Sequence, residues 1–185
     1  EGQNMKKSIF RKGIAMALIA SLIACLGGCT KKFDPSTDDA FEGFTNENLP
    51  EFSSFYVSKS GSWGDGEAYS FEVEYNKKGE IKKVSGHVKY GTIENDFTKP
   101  AEKSFTLPNE DYELLCYLVK VCNVKSWDGF NKNDPDVMDG WSFSCKVSFK
   151  DGSSSDSCGY MITPNNFSRL FTGARAIFQN HAPEP

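Results

Sequence analysis

The chain has 185 residues, of which 38% are hydrophobic, 14% aromatic and 25% charged, a make-up that excludes the collagen-like, mucin-like and disordered polyelectrolyte classes. Its 21 Lys and Arg against 25 Asp and Glu give a formal charge of -4, which argues against nucleic acid as a partner, because a phosphate-binding surface needs a net cationic face to displace counterions. The 2 histidines, His87 and His181, leave multi-histidine metal sites and Ser/His or Cys/His catalytic arrangements little to draw on.

Residues 1–4 precede the initiator-like Met5 and are set aside as an upstream extension. From Met5 the chain reads Met5-Lys6-Lys7-Ser8-Ile9-Phe10-Arg11-Lys12 and then runs apolar from Ile14 to Leu26, broken only by Ser21. A basic stretch before a short apolar run is the pattern of a signal peptide. The run would be about 20 Å long as a helix, whereas a membrane span needs roughly 20 residues, so a permanent transmembrane anchor is not expected. The sequence that follows, Leu26-Gly27-Gly28-Cys29, resembles the lipobox of bacterial lipoproteins: an aliphatic residue, two small residues that let the peptide bond into a membrane-embedded peptidase, and a cysteine whose thiol takes the lipid. The resemblance implies a signal peptide over 5–28, lipidation of Cys29 and an extracytoplasmic address on a membrane. A plain secretory signal cut after Ala24 or Gly28, with Cys29 left as a disulfide partner, is the alternative. Removal of residues 1–28 takes Lys6, Lys7, Arg11, Lys12 and Glu1 with it and leaves 17 basic against 24 acidic groups, a formal charge of -7. An acidic body is repelled by anionic headgroups, so the lipid would have to hold it at the membrane.

Residues 29–50 are polar and turn-rich without sustained periodicity and read as the lipidated cysteine and a flexible tether, with Phe33, Phe41 and Phe44 as aromatics that could dock on the domain. One globular domain is expected over 51–182. From Phe52 the pattern alternates: Phe55 and Val57, then Tyr69, Phe71, Val73 and Tyr75 between Ser70, Glu72 and Glu74, the period of half-buried antiparallel strands. Asn76-Lys77-Lys78-Gly79 makes a turn. Ile81, Val84, Val88 and Tyr90 continue on a third strand whose alternation slips at Ser85-Gly86, which suggests a bulge. Asn95 to Lys103 reads as a loop, and Ser104 to Leu107 as a short strand or a lead into a helix. Pro108 to about Cys122 predicts a helix, with Glu110, Asp111 and Glu113 near its start and Leu114, Leu115, Leu118, Val121 and Cys122 at helical spacing. Trp141, Phe143, Cys145, Val147 and Phe149 alternate with serines and lysines, and Asp151-Gly152 supplies a two-residue hairpin turn. Thr163-Pro164 starts a last helix with Phe167, Leu170, Phe171, Ala174, Ile177 and Phe178 on one face, ending near Asn180 and Pro183. The order β-β-β-(β)-α-β-β-α predicts an α+β fold, an antiparallel sheet of about five strands covered by two helices.

Cys25 leaves with the signal and Cys29 takes the lipid, so Cys116, Cys122, Cys145 and Cys158 remain. With Asp151-Gly152 as a two-residue loop, Lys150 faces Ser153 and Cys145 faces Cys158, which predicts a disulfide closing a ring of about 14 residues and contributing roughly 3 kcal/mol. Cys116 and Cys122 lie too far apart to bond if both are helical; they bridge only if the helix ends before Cys122, and are otherwise buried thiols.

Two segments carry functional signals. Gly61-Ser62-Trp63-Gly64-Asp65-Gly66 is a Gly-rich loop between two strands with Trp63 near its tip and Asp65 beside it, the arrangement of a recognition surface, or else of a Trp folded over the end of the sheet. The second is residues 127–141, Trp127-Asp128-Gly129-Phe130 through Asp134, Asp136 and Asp139 to Gly140-Trp141. Together with Val137, Phe143 and Gly159 this stretch resembles a family of bacterial lipoproteins and secreted domains that carry a Trp-x-Gly-Phe element, a polar loop, Val-x-Asp-Gly-x-x-Phe leading into a hairpin, and a closing helix begun by Pro-x-Asn. The resemblance runs from about Leu114 to Phe178 and implies fold and address, not activity; Cys145 and Cys158 depart from the family's pattern. An EF-hand reading of Asp134, Asp136 and Asp139 fails because a loop counted from Asp134 puts Met138 at position 5 and Asp139 at position 6; a looser calcium loop stays open, beside the plainer reading of turn-forming, solvated acids. No metal or other cofactor is expected. The chain thus reads as a lipid-anchored, non-catalytic module that binds a protein or a cell-envelope glycan, with Trp63, Asp65, Asp134, Asp136 and Asp139 as candidate ligand contacts. The alternative is a small carboxylate-dependent envelope hydrolase using the 128–139 loop.

Overall fold

Strands form where apolar residues alternate, because successive side chains leave a sheet on opposite faces and one face here is covered. The chain divides into two units, Glu1–Lys32 and Phe33–Pro185. The structure is a computed structural model and describes residues 34–61, 65–91 and 101–182. Among the described residues the strands are β1 (Phe52–Gly61), β2 (Gly66–Tyr75), β3 (Ile81–Gly91), β4 (Ala101–Thr106), β5 (Asn131–Asn133), β6 (Trp141–Phe149) and β7 (Ser154–Tyr160), with helices α1 (Asn109–Val121) and α2 (Phe167–His181). They build one 7-stranded sheet in the order β4-β3-β2-β1-β6-β7-β5. Neighbours are antiparallel except for β5, which runs parallel to β7. The α+β class agrees with the sequence reading, whereas the sheet is mixed and has seven strands in place of about five.

The core lies between the sheet and the helices. Phe55 and Phe71 stack with ring centroids 5.4 Å apart, Phe52 and Tyr112 close on Phe71, and Phe178 of α2 sits 5.4 Å from Tyr69. The helical stripe Leu170, Ala174, Ile177 and Phe178 is fully buried, as the spacing of the sequence requires. Burial of one such aliphatic or aromatic side chain contributes about 1.5–3 kcal/mol. Asp111 in the first turn of α1 meets His181 in the last turn of α2 at 2.5 Å, with Phe105 stacked on the imidazole. Asp111 sits at the helix end whose dipole favours a negative charge.

Several local expectations are corrected. The Phe149 amide donates to the Ser153 carbonyl at 2.8 Å and the Gly152 amide to the Phe149 carbonyl at 3.0 Å, so Lys150-Asp151-Gly152 is a three-residue loop. Gly152, at φ +86°, takes the left-handed position such loops need. The extra loop residue slips the register by one: Cys145 faces Ser157, and Cys158 faces Ser144. A slip of one residue sends a side chain through the sheet, so Cys145 is buried, Cys158 is exposed, and both are free thiols. The expected Cys145–Cys158 disulfide is therefore absent. Cys116 and Cys122 are likewise free and buried.

At Ser85-Gly86 the ladder is regular, against Glu72 and Phe71, and the irregularity falls instead between Glu74 and Tyr75. Gly86 is glycine for space: a Cβ there would lie 2.6 Å from the Phe105 ring. The last helix starts three residues later than its Thr-Pro signal suggests, because Asn166 at φ 66° turns the chain into Phe167. Ser104 to Thr106 is strand rather than helix lead, and β4 begins at Ala101, inside the expected loop.

The segment before β1 also differs from a free tether. Two 3-10 turns, Pro35–Thr37 and Asp39–Phe41, are started by the Asp34 and Asp38 carboxylates, which accept from the Ser36 and Ala40 amides at 2.9 and 2.8 Å. The Ser36 hydroxyl and amide hold the Asp34 carboxyl below its ordinary pKa. Ala40 and Phe41 are buried, and Phe44 meets Tyr117 edge-on at 5.4 Å. Arg169 of α2 donates to the Ala40 carbonyl at 2.9 Å and the Glu42 carbonyl at 3.1 Å, the Tyr117 hydroxyl also donates to Glu42, and Lys120 reaches the Glu47 carbonyl at 2.8 Å.

Candidate functional site

The residues singled out in the sequence divide by place. Asp65 is exposed on the β1–β2 turn, where its carbonyl accepts from the Gly61 amide at 2.7 Å; Trp63 and the lipidation candidate Cys29 lie outside the described residues. Gly61 at the end of β1 pairs with Trp141 at the start of β6, so Asp65 and the loop leading into β6 lie at one end of the sheet. Within that loop Asp136 and Asp139 are exposed and Asp134 half-exposed. The Asp134 amide donates to the Tyr160 carbonyl at 3.0 Å and its carboxylate accepts from the Asp136 amide at 3.0 Å. The carboxylate of Asp128 accepts from the Asp156 amide at 3.0 Å. These acids shape turns and satisfy the edge of β7. Among the described residues no group of three or more His, Cys, Asp or Glu could hold a metal ion, and no helix is long and apolar enough to cross a membrane.

What the structure assembles, and the sequence reading did not single out, is the sheet face turned away from the helices. The register aligns its side chains in rows across the strands. One row runs Ser104, His87, Ser70, Tyr56, Lys146, Asp156 from β4 to β7. The rows on either side place Ser54 and Ser148 together, and Ser58 beside Ser144; further along, the Ser60 and Ser142 hydroxyls are 2.9 Å apart. Two ion pairs cross this face, Lys89 with Glu102 and Lys146 with Asp156, each at 3.1 Å, and the exposed Glu72 stands on it beside Ser54. Between the pairs the surface is hydroxyl-rich, with the Tyr56 ring standing out of it.

A depression of about 370 Å³ opens in this face, lined by Tyr56, Ala68, Ser70, His87 and Ser104, with the charged Lys89, Glu102 and Lys103 also in its lining. The small side chains of Ala68 and Ser70 form its floor. His87 leans toward β4, where its Nδ1 lies 2.9 Å from the Ser104 hydroxyl, which leaves a gap over Ser70 between it and Tyr56. The signal for this face was present as serine at alternate strand positions, with one tyrosine at a polar position.

The cysteine thiols are split by the same two faces. Burial pushes the thiols of Cys116 and Cys145 up to about 12 and that of Cys122 up to about 11, so these three are unreactive near neutrality. Cys158 stands exposed on the open face. Comparison of the chain with protein-family models returns no match, and comparison with curated proteins returns none either.

Proposed function

We propose that this protein is a lipid-anchored, extracytoplasmic binding module, held at a membrane through Cys29, that engages a cell-envelope component with the open face of its sheet. The observation that carries the reading is the contrast between the two faces: one is sealed by α1 and α2, the other is a continuous half-buried field of hydroxyls around Tyr56. A broad, preformed surface with fixed donors and acceptors suits recognition without large rearrangement. The lipobox-like Leu26-Gly27-Gly28-Cys29 supports the anchor, and the acidic mature chain supports dependence on the lipid rather than on a basic patch.

Site-specific photo-cross-linking in the intact envelope tests the face. Cross-linkers at Ser58 and Ser144 on the open face should trap an envelope component, while one at Glu110 on α1 should not; trapping only from Glu110, or from neither face, rejects the reading. The anchor is tested separately: wild type should fractionate with membranes carrying a lipid on Cys29, and Cys29→Ala should be released.

A further inference from the structure

We infer that the depression between Tyr56 and His87 is a subsite for one ring of a neutral glycan; this rests on the open-face reading and names its ligand class. Tyr56, Ser70 and His87 stand on β1, β2 and β3 in direct register, so Tyr56 and His87 are two strand spacings apart, about 9.5 Å between backbones. A ring held at van der Waals distance from a wall on each side needs about 7–8 Å between the walls. The slot therefore takes one ring standing on edge over Ser70, and its volume of about 370 Å³ leaves room for part of the next.

The lining selects among ring ligands. The phenol of Tyr56 offers a flat apolar face to the C–H side of a pyranose, while the hydroxyls of Ser70 and Ser104 and the imidazole of His87 are short donors and acceptors at fixed heights above the sheet. The Nδ1 of His87 is occupied by Ser104, and its Nε2 has no hydrogen-bond partner among the described residues, which leaves it to a ligand hydroxyl. The cations in the lining, Lys89 and Lys103, come with the Glu102 carboxylate, which holds Lys89 at 3.1 Å, so an anionic ligand meets a carboxylate beside them, whereas a neutral polyol leaves the pair intact. A protein partner fits this surface poorly. Protein interfaces are depleted in serine and gain their energy from buried aromatic and arginine anchors, and here serine dominates around Tyr56, while the face's other tyrosine, Tyr160, has its hydroxyl on the Met138 carbonyl. The neighbouring rows of Ser54, Ser58, Ser144 and Ser148 extend the hydroxyl field along the sheet, as a chain of sugars longer than one ring requires.

The test is titration of the full chain with neutral tetrasaccharides, one set built from hexoses and one from N-acetylhexosamines, with a uronic-acid tetrasaccharide as the charged control. At least one neutral tetrasaccharide should bind and the uronic-acid one should not. Tyr56→Ala and His87→Ala should each weaken binding about tenfold or more, as expected of a central anchor, while Tyr56→Phe, which keeps the ring, and Ser153→Ala on the hairpin tip should change it little. Both truncations lie on the exposed face, and an unchanged melting temperature confirms that they fold. No neutral saccharide binding, or binding untouched by Tyr56→Ala, overturns the subsite. If the open-face cross-linkers still trap an envelope component that saccharides do not displace, the glycan inference fails and the binding-module reading stands; if they trap nothing, both fail.

Discussion

The two faces of the sheet are written by the same strands and differ only in parity. On β1 and β6, Phe55, Val57, Phe143, Cys145 and Val147 go inward, while Tyr56, Ser58, Ser142, Ser144 and Lys146 go outward. The inner set is chosen for volume and is packed by rings and aliphatic chains from both helices. The outer set is small and polar, so it stabilises little, and what it presents is a pattern. Backbone hydrogen bonds fix the distance between strands, the sealed inner face holds the sheet together, and the strand spacing sets the width of the slot between Tyr56 and His87.

Breaking the inner face should have the largest effect. Phe71 is fully buried against Phe52, Phe55 and Tyr112, and Phe71→Ala should lower stability by about 3–5 kcal/mol, read from a shifted denaturation midpoint. The docked N-terminal segment comes next. Arg169→Ala leaves the Ala40 and Glu42 carbonyls without their charged donor, a loss of about 1.5–3 kcal/mol, and protease should then cut between residues 34 and 50 first.

The thiols sharpen the comparison further. In the native protein a thiol reagent should label Cys158 and spare Cys116, Cys122 and Cys145 until unfolding. Because the three buried thiols hold their protons up to about 11–12 in the folded state and release them near 8.5 in the unfolded chain, the folded state binds more protons between those values. The contribution of the thiols to stability should therefore be constant below about pH 8.5 and fall as pH rises through that window. Equal labelling of all four cysteines in the native protein would contradict the register of β6 and β7. Smallest of all, Ser58→Ala on the outer face should stay within about 0.5 kcal/mol of wild type in stability.

The strands of the central sheet were legible because alternation survives in the sequence wherever one face is sealed, as in Tyr69 to Tyr75 and Trp141 to Phe149. Asn131-Lys132-Asn133 gave no such signal: an edge strand of three polar residues is held by backbone pairing with Cys158 to Tyr160 alone. Asp151-Gly152 marked the hairpin correctly but not its loop length, and one residue of loop decided on which face Cys158 lies. Residues 34–50 looked like tether because their order comes from distant side chains, Arg169, Tyr117 and Lys120, donating to main-chain carbonyls, an arrangement with no local periodicity. The hydroxyl face was visible as serine at alternate positions, yet its slot depends on the register of β1, β2, β3 and β4 together, which no single segment encodes.

The docking of residues 34–50 has a mechanical consequence. From a lipid on Cys29 to Pro50 a free tether could pay out to roughly 70–75 Å, but with the chain ordered from Asp34 only four residues, Thr30 to Phe33, separate the anchor from the folded body, a reach of about 17 Å. On the proposed lipidation the domain is a fixture on the bilayer rather than a float on a line: it samples only a shallow layer of the envelope, and releasing the Arg169 clamp would lengthen that reach about fourfold without altering a single residue of the binding face.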